Sequence, residues 1–399
     1  MLFPAFGRIR GFRVSMRRTR AGTRQGRRGT EELIELASGL GRSGCAQEDR
    51  YYQARLRPLV RRLLAEGRES LLGDALDGAD AANPHAYEVL SDAIEAEATG
   101  GDAGLLIALP VLAWSRYEIP SRNLSPAQCG TLHALITDGI AAEGSSVILA
   151  DYLFGPDQLP VGFCGTFEMV RRLQEGLSHG ETVLPVRGSA LPATHHYLAD
   201  PRYVLAFIQA RPADGALFRW HRAGSSRDVI EDRWKDAARP AFSDLLPNCV
   251  AEPLAPDAYF AVLRRVDDLG RPFTLRACVA QLQAQYDVPP ENVEAIIAAC
   301  YDNAVLAEYR IALLRAGQPQ ILQGAIWGLR DGEEDETDVP RRIVDELAQA
   351  GVRTVKVLDE RFGLAECDDC GAPLFPGPDG ELTHPETPDE PLPMSRHLH

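Results

Sequence analysis

GLLIALPVLAW (104–114) and SSVILADYLF (145–154) are the two apolar runs that decide the fold. Each is short, almost wholly apolar and bounded by turn residues, which is typical of a buried strand. Between them, Ser125-Pro126 marks a helix start, because serine caps a helix and proline fits its first turn. The order of strand, helix and strand predicts an α/β unit, followed by a further helix at FEMVRRLQEG.

The same order returns twice along the chain. RYVLAFIQARP and ALFRWHR form a predicted hairpin, followed by a helix near 226–246 and the strand CVAEPLA. EYRIALLRAG and QILQGAIWGLR form another, followed by a helix at 340–350 and the strand RTVKVLDERF. We therefore predict an α/β protein, with α+β as the alternative, built from about three strand-helix-strand modules.

Helical periodicity flanks these modules. TEELIELA, YYQARLRPLVRRLLAEG and AYEVLSDAIEAEA predict a helical N-terminal region, and two amphipathic helices are predicted at 274–286 and 290–302. The predicted segments are a disordered basic tail (1–30), a helical region (31–100), a first module (101–182), a second module (183–272), a helical connector (273–306), a third module (307–362) with a solvated acidic loop (331–338), and a Cys-x-x-Cys tail (363–399).

Charge is unevenly distributed. Residues 1–30 hold nine Arg and no acid, whereas residues 31–399 hold 33 basic and 57 acidic side chains. The acidic excess of residues 31–399 disfavours binding to nucleic acid and anionic lipid. The basic arm, residues 1–30, is therefore the only predicted nucleic-acid contact, and no basic face is predicted elsewhere. Met16 is an alternative start of translation.

The cellular compartment is predicted from two features that the sequence does not show, a membrane segment and a secretion signal. No run of eighteen apolar residues occurs, and MLFPAFGRIRGFRVS has no continuous apolar segment of the kind that a secretion signal needs. Eight cysteines over 399 residues then indicate reduced thiols, and most of them stand singly among apolar neighbours. We predict a cytoplasmic protein without a membrane segment.

The strongest chemical signal is Cys367-Asp368-Asp369-Cys370-Gly371. Two thiolates on a tight turn can bind one tetrahedral metal ion, and zinc is the usual one. A redox pair would need a helix starting at the first cysteine, but GAPLFPGPDGE continues as turns, and two aspartates oppose thiolate formation. The pattern therefore favours a structural zinc site.

Such a site needs two more ligands. His384 follows Cys370 by fourteen residues and is the predicted third ligand. His397 and His399 are candidates for the fourth.

Two catalytic strings match but stand in the wrong context. Gly39–Gly44 fits the dinucleotide fingerprint, yet a predicted helix precedes it where a strand is required. Gly176–Gly180 fits the nucleophile elbow around Ser178, yet it lies where a helix ends, so a helix cap explains both glycines. P-loop chemistry is excluded, because neither lysine follows a glycine.

Acids at strand ends are the remaining catalytic candidates. Asp151, Asp257 and Asp359 each follow or end a predicted strand, where open α/β sheets place their sites. Helix capping is the alternative role, and it suits Asp257. Arg116, Arg202 and Arg219 could hold an anionic group, and the pair His195-His196 is predicted to be solvent-exposed or hydrogen-bonded rather than catalytic.

Several stretches together resemble a bacterial protein family of unknown function. They are MRRTRAGTRQGRR, LPVLAWSRYEIPS, FRWH, LPNC, LRACVA, LDERFGLAECDDCGAPLF and the closing His-Leu-His, so the resemblance runs from about Met16 to the end. It implies no activity and no catalytic residue.

The sequence thus predicts a cytoplasmic, non-catalytic interaction or regulatory protein with a structural zinc knuckle and an unidentified protein partner. The alternatives are a hydrolase or transferase that uses the strand-end acids, and a nucleic-acid or ribosome-associated protein that uses the basic arm.

Overall fold

The computed structural model describes residues 24–194, 198–210, 215–222, 224–330, 333 and 338–385. It confirms the α/β class, since helices and strands are mixed along these residues. The helices are α1 (Arg24–Gly41), α2 (Ala46–Ala65), α3 (Glu69–Ala82), α4 (Pro84–Ala98), α5 (Pro126–Gly139), α6 (Gly162–Ser178), α7 (Arg227–Leu245), α8 (Tyr259–Tyr286) and α9 (Val339–Gln349). The strands are β1 (Leu105–Trp114), β2 (Ser146–Ala150), β3 (Val183–Leu184), β4 (Ala199–Gln209), β5 (Val250–Pro253), β6 (Asp257–Ala258), β7 (Val293–Asp302), β8 (Val305–Arg315), β9 (Ile321–Gly328), β10 (Thr354–Gly363), β11 (Phe375–Pro376) and β12 (Leu382–Thr383).

The first sheet has β1 and β4 at its centre. Its strand order is β3-β2-β4-β1-β5, with β6 also paired to β1. β1 and β4 run antiparallel from Leu105 opposite Ile208 to Trp114 opposite Ala199. α5 and α7 cover one face and α6 and α8 the other, so successive residues of β1 enter two separate cores. Burial on both faces explains why its sequence is apolar without alternation.

The helical N-terminal region is present as predicted. α1 to α4 pack on one another, and α2 and α4 also contact α6. α1 begins at Arg24, so the predicted disordered tail extends too far along the chain. Gly26 and Gly29 weaken a helix here, but arginine and glutamine are good helix formers and no proline separates them from the amphipathic TEELIELA, so the helix extends towards the N-terminus. Residues 1–23 lie outside the described residues.

The second sheet contains a strand where a helix was predicted. Its order is β10-β7-β8-β9, and β7 occupies most of the predicted helix at 290–302. Alanine, glutamate and isoleucine there suit a helix, but Ile297 enters the main core while Ile296 enters a smaller core on the opposite face. A strand buried on both faces shows no alternation from which it could be recognised.

The predicted hairpin of the second module is also wrong in its second half. β4 is a strand as predicted, but Phe218 makes only an isolated bridge to Ala141, and Arg219–His221 form a short 3-10 turn. Phe218 is buried and its ring stacks on Trp220 at 4.3 Å between centroids. Aromatic packing onto the α5–β2 loop therefore replaces strand pairing. The predicted helix and closing strand of that module are present as α7 and β5.

α8 joins the two sheets. It runs through Pro272 without a break, packs on β1 and β4 at its beginning, and reaches β9 and α9 of the second half. One buried core consequently extends from α1 to α9. Within the described part of the chain, no helix has the length and apolar character that crossing a membrane requires.

The acidic loop is not solvated throughout. Glu333 is only 4% exposed, because its carboxylate accepts hydrogen bonds from the guanidinium of Arg271 at 2.7 Å and from the backbone N–H of Arg330 at 3.0 Å. Arg342 lies 3.3 Å from the same carboxylate. Burial would raise the pKa of Glu333, but these hydrogen bonds and charges outweigh it and lower the pKa to about 2.

Candidate metal centre

Three side chains near the C-terminal end of the described chain converge on one point. The ligand atoms of Cys367, Cys370 and His384 all lie within 4.8 Å of one another. The Cys370 Sγ atom is 3.7 Å from His384 Nε2. Two ligands of one tetrahedral zinc ion, at the usual Zn–S and Zn–N lengths, lie about 3.6 Å apart. The observed spacing therefore matches a shared metal ion.

The turn that carries the two cysteines is set by its backbone. The N–H of Gly371 donates to the Cys367 carbonyl at 2.8 Å, and the N–H of Cys367 donates to the Ala372 carbonyl at 2.7 Å. Gly371 has φ +70, a conformation that costs glycine little. The backbone N–H groups of Cys370 and Asp369 point at the Cys367 sulfur and lower the pKa of that thiol. This arrangement stabilises a thiolate without a helix N-terminus.

His384 is brought to the turn by the β11–β12 hairpin. It follows Thr383, the last residue of β12. Its Nδ1 atom lies 3.1 Å from the Pro385 carbonyl oxygen, which can only accept, so the Nδ1 position carries the proton. Nε2 then presents its lone pair towards Cys370. Zinc-binding histidines commonly donate their other ring N–H to a backbone carbonyl, which fixes the tautomer in this way.

The knuckle is anchored on the second sheet by a buried arginine. Arg310 of β8 is 1% exposed, and its Nη1 atom donates to the carbonyls of Ala365 at 2.5 Å and Leu374 at 2.6 Å. These carbonyls stand on the two sides of the loop that carries the cysteines, and the Leu374 N–H closes the loop by donating to Ala365. The Nε atom of Arg310 donates to Glu308 at 2.8 Å. The Arg310 guanidinium therefore holds the two ends of the loop, Ala365 and Leu374, next to each other.

Phe375 packs the same segment against the sheet. Its side chain is fully buried in the smaller core, and a Cβ atom on Gly324 would lie 2.6 Å from its ring. Gly324 therefore lets the ring approach the backbone of β9 closely. The C-terminal segment covers the outer face of the second sheet and carries the metal ligands at its surface.

The donor set fits zinc. Two thiolates and one imidazole are the ligands that zinc prefers, whereas magnesium and calcium prefer oxygen. Within the described residues, these three side chains offer three of the four ligands that a tetrahedral zinc ion takes. His397 and His399, the predicted candidates for the fourth, lie outside the described residues.

Comparison with known proteins places the chain in a family. A family model described as a protein of unknown function, DUF2863, matches residues 17–398. The chain belongs to this family. The resemblance to a family of unknown function is thereby confirmed. No curated protein and no solved structure matches the chain.

The strand-end acids of the DUF2863 chain do not come together. Asp151 and Asp257 lie three strand positions apart in the first sheet, about 14 Å at the usual strand spacing. Asp359 is exposed on β10 of the second sheet. Asp151 accepts from the Val186 N–H at 2.6 Å. Asp257 pairs with Arg227 instead of capping α8 by its side chain.

The arginines proposed as anion ligands either hold other groups or are exposed. Arg202 is fully buried, pairs with Asp200 and donates to backbone carbonyls. Arg219 donates to the Thr137 carbonyl at 3.3 Å, and Arg116 is exposed. His195 and His196 lie outside the described residues.

The glycine motifs of the DUF2863 chain are structural. Gly39 lies inside α1, where a Cβ atom would meet the Tyr52 ring at 2.2 Å, so it permits close packing of α1 on α2. At the end of α6, the Glu181 N–H donates to the Gly176 carbonyl and the Gly180 N–H to the Leu177 carbonyl, which is a Schellman cap. Both predictions of misplaced catalytic strings agree with this geometry.

Sequence reasoning missed Arg310. An arginine in the middle of the otherwise apolar run YRIALL was the available signal, because a charge in a buried strand needs a specific partner. The two carbonyls to which it donates, those of Ala365 and Leu374, stand more than fifty residues further along the chain and could not be assigned from the pattern.

Proposed function

We propose that this DUF2863 protein is a cytoplasmic, non-catalytic interaction or regulatory protein whose C-terminal segment is folded by a structural zinc ion. The observation that carries the zinc site is the convergence of Cys367, Cys370 and His384, with their ligand atoms all within 4.8 Å. The separation of the strand-end acids supports a non-catalytic role, since no shared cleft gathers them. The eight unpaired thiols suit a reducing compartment.

The role of the metal follows from what the segment covers. Arg310 and Phe375 fix the loop at its base, and the metal ligands close it at its tip. A short segment with little core of its own gains most from such a closure, because metal binding contributes directly to the free energy of folding. The zinc ion would therefore stabilise the packing of the C-terminal segment against the second sheet.

Metal analysis tests the zinc site. The purified wild-type protein should contain about one zinc per chain, and a Cys367→Ser, Cys370→Ser variant should lose it. A Cys45→Ser, Cys249→Ser variant is the matched control, because it removes two thiols that lie outside the cluster. Equal zinc content in all three proteins would refute the site.

The interaction role needs a separate measurement. Native mass spectrometry of complexes purified under several growth conditions should detect the protein with a partner. Recovery of the protein alone under all of them would contradict an interaction role, whether or not zinc is bound.

A further inference from the structure

The basic residues of this chain are concentrated at its N-terminal end. Residues 1–68 contain 16 Arg and six Asp or Glu, whereas residues 69–399 contain 26 Lys or Arg and 51 Asp or Glu. Part of the basic segment folds as α1 and α2. The charge is therefore presented by an ordered helix as well as by the arm before it.

α2 segregates its side chains into an apolar and a basic face. Leu56, Val60 and Leu63 belong to its buried side. On its outer side, Tyr51, Arg55 and Arg62 recur at helical spacing, and all three are exposed. A neighbouring stripe of Arg50, Arg57 and Arg61 is exposed or half-buried, and Arg68 follows the helix.

Two of these arginines are already neutralised. Arg57 and Arg61 both contact Glu97 of α4, at 2.6 and 2.7 Å, and Arg57 also reaches Asp102. The Glu97 side chain is completely buried, so this pairing fixes α2 to α4. These two ion pairs therefore have a structural function.

Four other arginines of this segment differ from that pair. In the part of the chain that the structure describes, no carboxylate lies within ion-pair distance of Arg50, Arg55, Arg62 or Arg68. Arg50 and Arg62 are separated by twelve helical residues, or about 18 Å along the axis. The prediction that no basic face exists beyond the arm is wrong here.

An aromatic ring is exposed among these charges. Tyr51 is 53% exposed, and the Arg55 guanidinium lies over its ring at 3.7 Å. Arg55 also donates to the Tyr51 carbonyl at 3.1 Å, and the Tyr52 ring lies edge-on to the Tyr51 ring at 5.2 Å between centroids. The ring and the guanidinium form a fixed platform on which a base can stack.

We infer that the outer face of α2, formed by Arg50, Tyr51, Arg55 and Arg62, binds single-stranded nucleic acid. Positive charge matches the phosphates, and the Tyr51–Arg55 platform matches an unpaired base. An anionic membrane would need exposed apolar side chains beside the arginines, and the outer side of α2 offers only Tyr51 as an exposed large hydrophobic residue. This site is independent of the proposed zinc knuckle.

The test measures polarisation of a labelled, mixed-sequence 20-nucleotide RNA with the full-length protein across a salt series. An Arg50→Gln, Arg55→Gln, Arg62→Gln variant should bind more weakly, and its slope of log K against log salt should be shallower by about 2, at roughly 0.7 per phosphate contact. Tyr51→Ala should weaken binding about tenfold with little change in slope, because it removes stacking rather than charge.

Arg233→Gln, Arg239→Gln, Arg341→Gln is the matched control, since these arginines are exposed helical positions elsewhere. It should bind RNA as the wild type does, and circular dichroism should show that all variants are folded. Equal loss in the control variant, or full RNA binding by the α2 variant, would overturn the inference. So would failure to bind RNA while vesicles containing phosphatidylserine are bound through the same arginines.

Discussion

Replacing Arg310 by methionine should destabilise the fold far more than any surface charge does. The guanidinium donates to Glu308 and to the carbonyls of Ala365 and Leu374, and the side chains of Arg310 and Glu308 are at most 5% exposed. Methionine fills a similar volume but donates no hydrogen bond. The variant therefore leaves a buried carboxylate without its guanidinium and removes one donor from each of the two carbonyls.

The magnitude follows from the burial of the partner. Breaking a buried ion pair by removing one member typically costs about 3–5 kcal/mol, mostly through the charge that remains. Replacing both members by apolar residues is often nearly neutral. Arg310→Met should thus cost about 3–5 kcal/mol, and adding Glu308→Leu should recover at least about 2 kcal/mol of it.

Urea unfolding of the zinc-loaded proteins provides the assay. Arg276→Met is the control, because the side chains of its pair with Glu346 are 44% and 24% exposed and the pair should contribute less than about 1 kcal/mol. A loss below about 1 kcal/mol in Arg310→Met, or a double variant no more stable than the single one, would refute the reasoning.

Two further predictions concern neighbouring parts of the second half. Because the pKa of Glu333 is lowered to about 2, its pairing with Arg271 stabilises the fold above about pH 4.5 and is lost as pH falls towards 2. Glu333→Gln should therefore reduce the acid sensitivity of unfolding by about 1–3 kcal/mol, allowing for partial screening, and an unchanged pH dependence would contradict this. Gly324→Ala should cost about 1–3 kcal/mol, since its Cβ would lie 2.6 Å from the Phe375 ring, whereas Gly328→Ala meets open space. Equal melting temperatures of these two glycine variants would show that Phe375 is free to shift.

The predictable part of this fold is the part whose pattern is local. The strand at 105–114 and the helix start after Ser125 depend on neighbouring residues, and both occur as predicted. The strand at 293–302 was missed because Ile296 and Ile297 enter two different cores, which only the assembled sheets create. A pattern of apolar residues cannot distinguish burial on two faces from a buried helix.

The candidate metal site likewise has a part that the sequence predicts and a part that it does not. Cys367 and Cys370 were predictable because ligand spacing on a turn is a local property, and His384 followed from the usual interval to a third ligand. Arg310 was not, since the two carbonyls to which it donates lie more than fifty residues away and only the fold brings them to it. The metal ligands are therefore recognisable in the sequence, but the arginine that anchors their loop to the second sheet is not.

Charge segregation determines how a polyanion could approach this molecule. The residues after Arg68 carry a large acidic excess, which repels nucleic acid at long range. At physiological salt, exposed charges are largely screened beyond about 8 Å, so a strand lying on the outer face of α2 is affected mainly by the arginines beneath it. At about 10 mM salt the screening distance grows to roughly 30 Å, and the acidic body then opposes binding. The plot of log K against log salt should therefore flatten at low salt, whereas attraction by the arm and α2 alone would keep it linear.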